Sequence, residues 1–139
     1  DAERNAIPGQ KFRWPNAVIP YVIDSTLEGY KHVILDAIKN YHHHTCVHFL
    51  PRTDQSDYVK IFFGQGTEYN FDKLAPTQNI LYTPFDYDSI MIYGNDAFSK
   101  NKQDTMVAKN GRKLLNPFDK NSMTKSDIDK VNKMYHCIE

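Results

Sequence analysis

Val18-Ile19-Pro20-Tyr21-Val22-Ile23, followed by Asp24 and the run from Ser25 to Tyr41, is the stretch on which the fold turns. The first six residues are mostly β-branched or aromatic, the composition of a half-buried strand, and Pro20 argues for an edge position or a strand start. Ser25-Thr26-Leu27-Glu28 then fits a capping box, in which the Ser25 hydroxyl and the Glu28 carboxylate each take an otherwise unpaired backbone N–H. Beyond it Tyr30, Val33, Ile34, Ala37, Ile38 and Tyr41 recur at helical spacing, one apolar stripe on a helix of about four turns. A strand feeding an amphipathic helix is the seed of an α+β layer.

Working outward, Cys46-Val47-His48-Phe49-Leu50, closed by Pro51, and Tyr58-Val59-Lys60-Ile61-Phe62-Phe63, closed by Gly64-Gln65-Gly66, read as two further short strands. Residues Thr67 to Asn79 turn polar. Tyr82 to Tyr93 holds three of the nine tyrosines beside Pro84, and reads as aromatic-packed loop. Thr124-Lys125-Ser126-Asp127 offers a second capping signal, and Ile128, Val131 and Tyr135, with Met134 alongside, predict a closing helix that ends near Cys137. The expectation is an α+β fold. It comprises a small twisted mixed sheet carrying one long helix (residues 1–66 as an N-terminal lobe) and a loop-rich C-terminal lobe (67–139) ending in a helix, within a single domain.

Composition narrows the functional classes. The chain has 139 residues with 40% hydrophobic, 13% aromatic and 24% charged, which is the make-up of a packed globule. Seventeen Lys+Arg balance 17 Asp+Glu, so the basic footprint of a nucleic-acid binder or a polybasic membrane ligand is missing. No window approaches the roughly 18 apolar residues of a membrane span. Position 1 is Asp with no basic or apolar leader after it, and from this we expect a processed chain. Cys46 and Cys137 are too far apart for a CxxC motif. They are compatible with one long-range disulfide, and with it a secreted location, or with two reduced core thiols.

Taken in order, these segments resemble the astacin zinc metalloendopeptidases. Arg4-Asn5-Ala6-Ile7 is similar to that family's junction between propeptide and mature enzyme, with residues 1–4 as a remnant, and Trp14-Pro15 to Pro20-Tyr21 to its first strand. Thr45-Cys46-Val47-His48-Phe49 with Pro51-Arg52, and Asp57-Tyr58-Val59, resemble the second and third strands. Tyr87-Asp88-Ser89-Ile90-Met91-Ile92-Tyr93-Gly94 resembles the Met-turn, and Asp127-Ile128 to Tyr135-His136-Cys137 the last helix. The resemblance implies a secreted enzyme that hydrolyses polypeptides with zinc-activated water. It also implies a Cys46–Cys137 disulfide, Ser89 and Met91 in the Met-turn under the metal, and Tyr93 as an additional zinc ligand with a catalytic role. Ile92 departs from the histidine usual at that place.

The family's chemistry needs H-E-x-x-H-x-x-G-x-x-H, three imidazoles on one zinc with a glutamate as base. This sequence does not contain it. Its four glutamates, Glu3, Glu28, Glu68 and Glu139, follow Ala2, Leu27, Thr67 and Ile138, so there is no His-Glu pair. After Gly64-Gln65-Gly66 the resemblance jumps to sequence well past the zinc helix, so several tens of residues are skipped. The histidine cluster His42-His43-His44 with His48 has an HxxxH spacing. It spans a helix end and a strand, where the side chains do not converge, and Thr45 cannot act as a base. Such imidazoles bind transition metals adventitiously at most.

Two readings follow: a zinc metalloendopeptidase by family, or, if the chain is complete, an inactive remnant serving as a binding or decoy module. Removal of the skipped segment should also expose apolar sheet surface around Tyr58–Phe63 and leave a marginally stable fold.

Overall fold

A computed structural model describes residues 6–63, 75, 77 and 80–137 of the chain. Strand β1 spans Val18–Ile23, as its composition predicts. A 3-10 turn, Ser25–Tyr30, leads into helix α1, Lys31–His44, and the chain returns to the sheet as β2, His48–Pro51, and β3, Val59–Ile61. The sheet order is β2-β1-β3. All three of these strands are parallel, so the mixed sheet expected from the sequence is parallel over its described part. The polar stretch 67–79, apart from residues 75 and 77, lies outside the described residues.

Two local expectations are corrected. Pro20 is buried in the central strand rather than at an edge. The register explains why it is tolerated: Pro20 pairs with Leu50 of β2, whereas β3 pairs only with Tyr21, Val22 and Ile23, so the β3 ladder begins just after the proline. The Ser25–Glu28 capping box does not form. Asp24 takes the cap instead, accepting from the Thr26 N–H at 3.1 Å, while Glu28 pairs with Lys31 at 3.2 Å.

The second helix, α2, spans Lys125–Tyr135 and begins with the capping box read from the sequence. Thr124 accepts from the Asp127 N–H, and the Asp127 side chain accepts from the Thr124 N–H. Two of its stripe residues, Val131 and Tyr135, pack on a core of Ala17, Ile19 and Val47, together with Trp14, Phe49 and Val59. The closing helix is thus held against the sheet, and Trp14 N–H donates to the Tyr135 hydroxyl. The Cys46–Cys137 disulfide is present, with Cα atoms 5.3 Å apart, and fastens the end of α2 beside the start of β2. Between residue 81 and α2 the described chain holds only a short 3-10 turn, Pro117–Asp119. Phe62 and Phe63, after β3, are exposed, in keeping with the uncovered apolar surface expected there.

Candidate functional site

The segment 86–94 runs through a compact turn. Ser89 N–H donates to the Asp86 carbonyl and Ile92 N–H to the Ser89 carbonyl, which folds the chain back around Ser89. Ser89 is almost fully buried. Its hydroxyl donates to Asp127 Oδ1 and accepts from the Met91 N–H at 3.1 Å. Asp127, also buried, accepts in addition from the Ile90 N–H at 3.1 Å. One carboxylate therefore ties the first turn of α2 to the turn that carries Met91. Lys120 closes the other side, its Nζ donating to the carbonyls of Ser89 and Ile92, each at 2.7 Å. Asp86 adds a third tie by accepting from the Thr124 hydroxyl at 2.7 Å.

The electrostatics follow from this packing. Burial pushes the Asp127 carboxyl up, but the hydrogen bonds from Ser89, Thr124 and Ile90, with Lys130 nearby, outweigh it and hold the group below the usual 3.8. Burial draws Lys120 below the ordinary lysine value, against the pull of Asp88, Asp127 and Asp86. Burial raises the Tyr41 phenol, and the Asp127 charge raises it further.

The residues singled out from the sequence divide in two. Ser89 is an interior anchor. Met91 and Tyr93 face outward, at 73% and 46% exposure, and Tyr93 packs edge-on against Phe98 at 5.0 Å between ring centres. The turn presents their side chains on the surface while Ser89 holds the backbone from beneath.

The donor set for zinc is a separate question, and the residues present do not fit it. All six histidines are described: His32 in the first turn of α1, His42, His43 and His44 in its last, His48 opening β2, and His136 after α2. Among the described residues no three His, Cys, Asp or Glu side chains gather closely enough to hold a metal ion. His42 and His48 do approach, with ring centres 5.2 Å apart, but the His42 Nε2 lone pair accepts the Phe49 N–H at 2.9 Å. Both cysteines are spent in the disulfide.

Sequence reasoning misses Asp127, Lys120 and Asp86 as parts of the site. The capping box points to Asp127 as a helix cap, but nothing local signals that the same carboxylate reaches a serine 38 positions away.

Comparison with known proteins agrees with the geometry. The family model described as Astacin, a peptidase family, matches in two pieces, residues 6–68 and 63–136. Astacin-like peptidase p16 of Argiope aurantia is 56% identical over 99 residues, covering 69% of this chain and 95% of that protein. Astacin-like metalloprotease toxin 1 of Loxosceles intermedia is 30% identical over 199 aligned positions, covering 97% of this chain and 75% of its own. That alignment is far longer than the 139-residue chain, so the relative carries a long stretch with no counterpart here. The fold is similar to that of high choriolytic enzyme 1, a hatching-enzyme zinc-protease from Oryzias latipes. The TM-score is 0.67 at 24% identity, over 91% of this chain and 94% of that one.

Proposed function

The chain belongs to the astacin family of peptidases, and from that membership we propose that its function is that of a secreted zinc-dependent metalloendopeptidase acting on polypeptides. In this reading residues 1–66 and 67–139 are the two lobes of the catalytic domain, and the sequence lacks the segment that carries the metal-holding helix. The observation that carries the reading is the anchored turn. Ser89, Asp127 and Lys120 fix a backbone whose next residues, Met91 and Tyr93, stand on the surface, with Phe98 against the Tyr93 ring. A turn fastened so firmly from below, with a methionine and a phenol held out above, is built to meet a neighbour on its upper side.

The family's zinc would supply the polarising charge for peptide hydrolysis. This chain's own residues do not hold that ion, so no hydrolytic step is assigned to them. Their part is positional: Asp127 and Lys120 set where Met91 and Tyr93 stand. The disulfide supports the secreted location. No described helix is long and apolar enough to cross a membrane.

The experiment is an intact mass of the purified, reduced protein, followed by zinc content and chelator-sensitive cleavage of an unfolded protein substrate. A mass several kilodaltons above 16.2 kDa, with equimolar zinc and cleavage that a chelator stops, is the outcome this reading expects of the complete enzyme. A mass of 16.2 kDa with neither zinc nor cleavage would leave the chain without proteolytic function.

A further inference from the structure

Among the described residues the sheet ends at β2, whose neighbour on one side is β1. Which of its backbone groups face outward follows from one bond: the Arg52 N–H, just past the strand, donates to the Tyr21 carbonyl of β1 at 2.9 Å. Backbone N–H groups alternate in direction along a strand, so those of Leu50 and His48 point toward β1 as well, and positions 47, 49 and 51 face the open edge. An edge with free N–H groups is where a further strand adds, and folded proteins blunt it.

Each of the three outward positions is blunted in a different way. The Val47 N–H donates to the Thr45 hydroxyl at 3.1 Å. Position 51 is a proline and has no N–H to give. The Phe49 N–H donates to Nε2 of His42, in the last turn of α1, at 2.9 Å. The first two closures do not titrate. The third does, because Nε2 accepts only while it keeps its lone pair, with the ring neutral and its proton on Nδ1. A proton taken from water occupies that lone pair, and two N–H groups then confront each other across the former bond.

His42 is exposed, so water reaches it directly. The titratable and charged groups that face it are His48 of β2, with ring centres 5.2 Å apart, and on its own helix Lys39, one turn back and paired with Asp36 at 2.9 Å. His43 and His44 stack edge-on against each other. The carbonyl end of α1 favours a cation in this turn and so works for the proton and against the cap. The Phe49 ring, meanwhile, packs against Tyr41 and Tyr21, at 5.3 and 6.4 Å between ring centres, which keeps β2 seated when the cap is gone. We propose that His42 is a proton-operated cap on the outer edge of β2: neutral, it closes the edge at Phe49, and protonated in mild acid it releases that N–H and opens the edge to water and to strand addition. The cap lies in the N-terminal lobe and operates independently of the enzyme reading.

The test is amide hydrogen exchange, followed by NMR on the disulfide-bonded chain from about pH 8 to about pH 4.5, each rate being divided by that of an unstructured amide at the same pH. We expect the Phe49 amide to lose about fivefold or more of its protection across that range. Val47, on the same edge but tied to a hydroxyl, and Leu50, turned toward β1, should keep theirs. His42→Ala should lack the Phe49 protection at every pH, and His42→Gln, which offers a carbonyl oxygen that does not titrate, should hold it throughout. His42 is exposed, so both variants should fold, and their Leu50 protection reports that they have. Phe49 protection that is indifferent to pH, or unchanged in His42→Ala, overturns the proposal. A pH-dependent loss that persists in His42→Gln places the titration elsewhere, on His48 first, and overturns it too. So does an equal loss at Val47 and Leu50, which would mean that the sheet as a whole gives way in acid.

Discussion

Asp127 concentrates more structure than any other side chain of the described fold. It accepts from Ser89, from the Ile90 and Thr124 N–H groups, and faces Lys130 at 3.7 Å. Replacing it with Asn sets an NH2 donor either against the Ser89 hydroxyl or against the Ile90 and Thr124 N–H groups, and removes the charge that faces Lys130. We expect Asp127→Asn to cost about 2–3 kcal/mol in urea unfolding, with the near-ultraviolet signal of the Tyr87–Tyr93 turn reduced before the helical signal is lost. Gly94, at the end of the same turn, is a second sensitive position. A Cβ there would lie inside contact distance of the Asn116 side chain and close on its backbone nitrogen. Gly94→Ala is therefore expected to destabilise by about 1–3 kcal/mol through overpacking, a loss readable as a lower urea midpoint with unchanged slope.

Among the elements, the two helices end differently. α1 stops at Thr45, which has extended geometry and a hydroxyl that donates to the Tyr41 carbonyl. α2 stops at His136, a non-glycine residue in the left-handed region with φ of 53°. Because His136 is exposed and that conformation strains any residue with a Cβ, His136→Gly should raise stability by about 0.5–1 kcal/mol, measured as a higher melting temperature.

The elements also show which sequence signals are reliable. β1 and the capping box of α2 were legible because they depend on composition and on residues three positions apart. The start of α1 was not, because Asp24, one residue earlier, became the cap by accepting the Thr26 N–H, and Glu28 found Lys31. Pro20 misled for a related reason. Whether a proline fits a strand depends on where the neighbouring ladder begins, and that is a property of the sheet rather than of the peptide.

On the scale of the whole molecule, stability is set by the disulfide and by charge. In the loop-entropy picture a bridge spanning 91 positions contributes about 4–5 kcal/mol, so reduction should lower the urea midpoint sharply or unfold the chain outright. Acid acts on Asp127. Its folded value lies below the unfolded 3.8, so its contribution is fully present above that pH and is lost as pH falls through the folded value. Asp24, likewise lowered by the Thr26 and Lys60 contacts, acts in the same direction. Unfolding midpoints measured from roughly pH 5 down to about pH 2.5 should fall for the parent chain and fall less steeply for Asp127→Asn. The site itself was half legible. Ser89, Met91 and Tyr93 lie within one short motif and could be read in a line, whereas the carboxylate and the ammonium that hold them come from residues 127 and 120 and meet the turn only in three dimensions.

The Cys46–Cys137 bridge also turns most of the sequence into a closed covalent ring. A single backbone cut anywhere between those cysteines, the stretch from 64 to 79 included, would release no fragment. The nicked protein would travel as one band on a gel run without reductant and weigh only one water more than the intact chain. Reduction would separate it into two pieces whose sizes name the cut. Preparations of this protein that look whole must therefore be weighed reduced before their integrity is judged.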